Sequence, residues 1–435
     1  MEKVCYAQSN PKTALAWTTL AFFTGFAGVS AFGPIVSKLK DTMGLSPLLM
    51  GLLGASPALT GSLLRIPFGA LVDRMGGKKP IQILLGLTCL GIAAITSMFY
   101  FVPEPGPGHL IVFFTCGMLC GCGIATFSVG IPAVSYWHPQ KKQGIALALY
   151  GGLGNLAPGI FAFVLPFLVL HSGFAASYVM WLIFLFLVLL LFSFFMKDAP
   201  YFQYREMGID IDKEALLFAC GEELIPTGTM MASIRKAAND YRTWILTAFY
   251  FVSFGGFIAL TVWFPTYWKE YFGVSLVHAG LLTALYSLSS SVLRVLGGVL
   301  SDRSGGEKVV AGSFLIITVG SLLLSLPYGS FGAAVAGQLL LAVGMGFANA
   351  AVFKLVPKFT PAAVGGTAGI IGGLGAFGGF VIPILMGLCV RSMGRSGYAF
   401  GFMIFVVLSV VSLVLFFLLR SRKERQPPGT TPKGD

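Results

Sequence analysis

The chain has 435 residues, of which 56% are hydrophobic, 14% aromatic and only 11% charged, and its mean hydropathy is +0.84. Soluble domains carry about 25% charged residues, so this chain can neither cover a water-facing surface nor remain disordered. A formal charge of +12 would suggest nucleic acid in a soluble protein; in a membrane protein basic loops fix orientation, and no nucleic-acid partner is expected.

The polar start MEKVCYAQSNPK leads into an apolar run long enough to span, so no cleavable signal peptide is expected. The runs predict twelve spans, at 14–36, 47–72, 79–102, 110–134, 143–170, 175–196, 243–268, 276–301, 308–327, 331–355, 364–390 and 398–419. They are continuous rather than alternating, which excludes a β-barrel and makes this an all-α membrane protein. The predicted organisation is an N-terminal six-helix half (1–196), a cytoplasmic linker (197–241), a C-terminal six-helix half (242–420) and a disordered cytoplasmic tail (421–435). With both termini inside, twenty-two of the 29 basic residues fall on the inner side. Lys38, Lys40, Lys269, Arg391 and Arg395 fall outside, a strong positive-inside bias that predicts a multi-pass protein of the cytoplasmic membrane. The linker carries Asp198, Glu206, Asp210, Asp212, Glu214, Glu222, Glu223 and Asp240 and reads as solvated, a regulatory surface being the alternative. Cys116, Cys120 and Cys122 sit in an apolar run without a nearby His, so neither metal nor cofactor is expected.

The two halves repeat. Residues 52–79 shifted by 229 meet 281–308 with fourteen identities in 28 positions, among them Arg65 with Arg294, Asp73 with Asp302 and Arg74 with Arg303. The second and eighth spans are therefore equivalents, the parallel-repeat layout of a transporter with a central site. GGLGN at 151–155 likewise meets GGLGA at 372–376. Gly151, Gly152, Gly154, Gly372, Gly373 and Gly375 give the fifth and eleventh spans smooth faces suited to close packing and to sliding.

Arg65 and Arg294 carry the sharpest signal. Each precedes the Asp-Arg pair at the end of its span by eight residues, about 12 Å of helix, which puts both near the bilayer midplane. All 17 acidic residues fall in loops, tails or helix ends. Two midplane cations without a fixed counter-charge call for a mobile anion. The planar Arg fork suits a small trigonal or bent oxyanion. Phe127, Asn155, Tyr250 and Phe254 are candidates to wall and hydrogen-bond it; Tyr250 and Phe254 share a helix face at i, i+4. The pairs Asp73-Arg74 and Asp302-Arg303, each in G-x-x-x-D-R-x-G-G, are expected to pair with neighbouring helix ends and latch one conformation.

The twelve spans, 6+6 repeat, central loop and paired loop motif resemble the major facilitator superfamily. Within it, four segments resemble the nitrate/nitrite porter family. GIALALYGGLGNLAPG and GGTAGIIGGLGAFGGFVIP look like its two signatures, and SLLRIPFG and SVLRVLGG like its substrate-arginine helices. FANAAVFKLVPKF is similar to its tenth span. The resemblance implies a twelve-helix fold of two pseudo-symmetric halves. It implies that Arg65 and Arg294 clamp the anion, that Asn155 and Tyr250 hydrogen-bond near it, and that Phe127, Phe254 and Phe26 wall the site. Ala376 stands where the fifth span has Asn155.

The expected activity is alternating access, with nitrate and/or nitrite as partner and the chain a monomer in the bilayer. His109, His138, His171 and His278 lie at span ends or loops, so no titratable group is predicted in the membrane core and nitrate/nitrite exchange is favoured over proton symport. The rival reading is a carrier of the same fold for another small anion, such as formate or oxalate. An intramembrane enzyme is not expected, because no nucleophile–base pair or metal set lies at one depth.

Overall fold

A computed structural model describes residues 8–209, 213–220, 222, 230–326, 330–360 and 364–424. Asp210, Asp212 and Glu223 of the linker, and residues 425–435 of the tail, lie outside the described residues. The described chain is helical. Among the described residues, eleven stretches are long and apolar enough to cross a membrane. One of them, Ile145–Phe195, has 51 residues, more than twice the roughly 20 a crossing needs. It divides at Gly173, whose φ of 75° and ψ of 172° break the helix, so it supplies two crossings and the total is twelve.

These are α1 (Pro11–Met43), α2 (Pro47–Met75), α3 (Lys78–Phe101), α4 (Pro107–Trp137), α5 (140–172) and α6 (174–195). After the linker come α7 (Tyr241–Phe272), α8 (Leu276–Ser304), α9 (Gly306–Ser325), α10 (Phe331–Phe359), α11 (364–393) and α12 (Met403–Glu424). Their starts follow capping chemistry. Asn10, Ser46, Asp240, Ser275 and Ser330 each accept a backbone N–H of the first turn, and Pro follows at Pro11 and Pro47. The first span runs on to Met43, beyond the predicted 36, as a short 3₁₀ turn at Ala27–Ser30 continues into helix rather than loop.

Burial sorts the helices. α1 and α7 are each 83% buried along their apolar cores and form the centre. α6 and α12 are each only 28% buried along theirs, and expose rows of Ile183, Phe184, Leu187, Phe194 and Val407, Val410, Val414, Phe417. Hydrocarbon is the solvent such a face requires.

The halves close on each other at the end of the bundle away from the linker. α2 crosses α11 so tightly that a Cβ on Gly51 would stand 2.5 Å from the Pro383 carbonyl oxygen, and one on Gly387 2.6 Å from that of Pro47. α5 meets α8 in the same way: a Cβ on Gly280 would stand 2.4 Å from the Ala162 oxygen. Lys40 of α1 forms an ion pair there with Glu270 of α7. Among the described residues it joins the two halves, whereas Lys354–Asp302 and Lys358–Glu307 lie within the second.

At the other end the linker is partly folded. Asp198 accepts from Gly77 N at 2.6 Å and Lys78 N at 2.9 Å, capping α3. Burial raises its carboxyl to about 6. Helix Met230–Ala238 lies on the start of α11, with Ser233 Oγ accepting from Gly366 N at 3.0 Å. Glu222, 3% exposed, accepts from Tyr201 N at 2.8 Å, and burial raises it to about 7.

Two outcomes follow. Glu270→Gln removes the partly exposed cross-half pair, a small but directional loss. It should increase labelling of Val262→Cys, which packs against Gly54 across the same seam, relative to that cysteine variant alone. A raised carboxyl pKa contributes stability below its unfolded value near 4 that is lost as pH rises through the folded value. The protection of Tyr201 N against hydrogen exchange, taken relative to its intrinsic rate at each pH, should therefore be greater at pH 5 than at pH 8, and that difference should vanish in Glu222→Gln.

Candidate functional site

Irregular backbone gathers at one depth. α2 breaks at Leu64 immediately before Arg65, and α5 at Asn155–Leu156. α4 carries a 3₁₀ turn at Cys122–Ala125, just before Phe127. α7 and α11 carry π-helical turns at Phe251–Gly255 and Ile371–Gly375. Inside a membrane, non-helical backbone is tolerated where it is buried in protein or lines a cavity, and π-turns gather at functional sites.

Phe254, in the π-turn of α7, is the hub of the aromatic wall. Its ring stacks on Phe26 at 6.1 Å and 8°, on Phe127 at 6.2 Å and 26°, and on Tyr250 at 4.9 Å and 9°. Both arginines approach the same pair of rings. Arg65 Cζ lies 5.0 Å from the centroids of Phe127 and of Phe254, and Arg294 Cζ lies 5.8 and 5.6 Å from them. The ring quadrupoles thus supply part of the negative field that a carboxylate would otherwise provide. Among the described residues, no carboxylate forms an ion pair with either arginine.

Arg65 is 1% exposed. Its Nη1 donates to the Gly372 carbonyl at 2.9 Å, a bond from α2 to the π-turn of α11 that joins the two halves. Its Nε and Nη2, the two parallel donors of the guanidinium's side edge, are buried with no partner. Arg294 Nη1, Tyr250 Oη and Asn155 Oδ1 are also buried and unpartnered. Arg294, Asn155, Phe254, Phe257, Ser290, Ser291 and Asn349 line a cavity of about 10 Å³.

All seven sequence candidates for the anion site, Arg65, Arg294, Asn155, Tyr250, Phe127, Phe254 and Phe26, thus lie in or around one aromatic and polar cluster. Three further residues escaped sequence reasoning. Tyr150 donates to the Thr126 and Phe127 carbonyls at 2.9 and 3.1 Å and stacks on Phe127 at 6.2 Å, so it positions that ring. Asn349 and Ser290 line the cavity from α10 and α8. The sequence signal for Asn349 was an amide in an apolar span.

The six glycines have different neighbours. A Cβ on Gly373 would stand 2.8 Å from Ile66, and one on Gly152 3.6 Å from Val295, both across the halves. One on Gly154 would strike Phe22, and one on Gly375 Tyr250, both within their own half. Beside Gly151 and Gly372 the nearest atoms, of Phe127 and Ser128, lie at 4.0 and 3.8 Å. The loop-motif acids also bind inside their own halves. Asp73 accepts from Tyr136 Oη at 2.6 Å, and Asp302 pairs with Lys354. The Arg74 carbonyl accepts from Arg205 Nη1 at 3.3 Å, and Arg303 is exposed. Each pair ties its span to a neighbour rather than bridging the halves.

The family model of the Major Facilitator Superfamily matches residues 18–277 and 246–435. The chain belongs to that superfamily. It is 30% identical to the probable nitrate/nitrite antiporter NarK1 of Thermus thermophilus, covering 96% of this chain and 95% of that one, which places it with the nitrate/nitrite porters. It is 29% identical to the nitrite extrusion protein of Bacillus subtilis, covering 93% of each. It is 27% identical to the probable nitrate transporter NarT of Staphylococcus epidermidis, over 92% of this chain and 95% of that one. Its fold matches the xylose transporter XylE of E. coli in a partially occluded inward-open conformation, with TM-score 0.69 and 17% identity over 98% of this chain and 100% of that one. The bacterial homologue of the lysosomal transporter Spinster, inward-facing and unoccupied, matches with TM-score 0.66 and 18% identity over 97% and 100%. This major facilitator chain is a multi-pass membrane transporter and not an enzyme.

Tyr250 Oη tests the site without disturbing the fold. An unpartnered buried hydroxyl stabilises nothing. Tyr250→Phe should leave thermal stability of the purified chain unchanged while raising the KM for the transported substrate by about 10- to 100-fold, roughly one hydrogen bond to a charged group.

Proposed function

We propose that the chain carries nitrate and nitrite across the cytoplasmic membrane by alternating access, clamping the anion between Arg65 and Arg294 and exchanging one for the other. One observation carries the reading: the side edge of the Arg65 fork is buried and unpartnered beside the rings of Phe127 and Phe254, with Arg294 facing the same rings. Two parallel N–H donors match two oxygens of a planar oxyanion. The rings suit its flat face, and Tyr250 and Asn155 take what remains. The names of the relatives support the same anions.

What surrounds the arginines supports exchange. Empty, the two cations repel each other and resist closure; an anion neutralises them and lets the halves rock. The positive-inside bias puts the linker and both termini in the cytoplasm. The Lys40–Glu270 end then faces outward.

In proteoliposomes, internal nitrite should accelerate nitrate uptake with no pH gradient imposed. Uptake that requires a pH gradient and ignores internal nitrite would overturn exchange. Formate or oxalate driving counterflow while nitrate fails would favour the small-carboxylate reading. Arg65→Lys and Arg294→Lys should each lower uptake by at least about 100-fold, because a point charge does not replace the planar fork.

A further inference from the structure

We infer that Asn349 and Ser290 form a neutral pocket for a third oxygen, which lets the carrier distinguish three-oxygen from two-oxygen anions. The inference rests on the clamp reading above and extends it to residues outside that clamp.

The cavity beside Arg294 is about 10 Å³. That is room for one water-sized group. Its polar lining is deeply buried: Asn155 is 2% exposed, Asn349 3% and Ser290 1%. Asn155 Oδ1, Asn349 Oδ1 and Ser290 Oγ all lack a partner. Ser291, on the same helix, shows the contrast. Its hydroxyl donates to the Asn155 and Ser287 carbonyls at 2.8 Å each and is fully used. The Ser290 hydroxyl can donate to an oxygen that enters this space; the two amide oxygens are acceptors, and Asn349 donates there once its side-chain amide makes a half-turn that brings Nδ2 to the place of Oδ1.

The packing of α10 on α8 brings these groups together. A Cβ on Gly346 would stand 2.7 Å from the Ser290 carbonyl oxygen and 3.3 Å from Arg294 N. A Cβ on Gly297 would stand 2.6 Å from Phe347 Cα. Bare backbones at these crossings carry Asn349 up to the arginine. The amide offers two N–H donors and the serine one O–H, all neutral.

The geometry assigns a division of labour. The Arg65 side edge takes two oxygens. Nitrate has one more, and the Asn349–Ser290 pocket lies on the Arg294 side to receive it. Nitrite has none to spare, so a water occupies the pocket in its place.

The test is exchange by Asn349→Ala and Ser290→Ala in proteoliposomes, with nitrate and nitrite assayed separately. Asn349→Ala should raise the nitrate KM by on the order of tenfold or more while the nitrite KM moves less than about threefold. Ser290→Ala should shift the ratio in the same direction by less. Parallel changes for both anions would show that Asn349 only holds Arg294 in place, and no change in either would show that the pocket takes no oxygen; each result overturns the proposal. If Asn349→Ala fails to fold, Ser290→Ala decides by the same ratio. A parent chain that carries neither anion overturns the clamp reading as well, whereas an unaltered ratio in a competent carrier overturns this inference alone.

Discussion

The constraint on which the rest of the structure depends is the placement of two guanidinium groups in a low-dielectric interior without a carboxylate. Arg65 and Arg294 are held by ring faces, by one peptide carbonyl and by their own helices. That is less compensation than a buried charge ordinarily receives. The arrangement persists because the surrounding helices are irregular at this depth and offer free backbone groups. The Gly372 carbonyl, in the π-turn of α11, is one of them. An undistorted α11 would spend that carbonyl inside its own ladder.

A second level of organisation makes each half rigid and leaves the seam between them movable. Asp73 with Tyr136 fastens α2 to α4, and Asp302 with Lys354 fastens α8 to α10, the same solution in the two repeats. Across the seam, cohesion is concentrated at the end away from the linker, in the close crossings of α2 with α11 and α5 with α8 and in the Lys40–Glu270 pair. Bodies that are internally pinned and joined by backbone-close, mostly apolar contacts can separate there without breaking buried ion pairs. At the linker end, helix Met230–Ala238 rests on the first turn of α11, the helix whose π-turn binds Arg65. The described part of the linker is thus folded against α11 rather than solvated throughout.

Much of the candidate site was legible because it rests on excess. An arginine deep in an apolar span with no acidic residue at its depth is conspicuous in any sequence, and the fourteen-identity repeat made it conspicuous twice. Tyr250 and Phe254 followed from helical spacing. Asn349 and Ser290 did not stand out, since an amide or a hydroxyl in a membrane helix is usually satisfied by a neighbour. Only the crossing of α10 over α8 shows theirs to be unsatisfied. Tyr150 was equally silent, because its role lies in two carbonyls of another helix.

The low share of charged residues, the run lengths and the internal repeat determined by themselves that this is a two-fold repeated helical membrane protein with two uncompensated arginines. Those properties are sums over local sequence, and hydrocarbon permits few other outcomes. Which glycines bring the halves together, where the helices break, and that Lys40 finds Glu270 were decided by the tertiary structure. So was the placing of a small polar cavity beside Arg294. Each depends on the crossing of helices far apart in sequence, and a shift of a few tenths of an ångström there decides whether a polar group finds a partner.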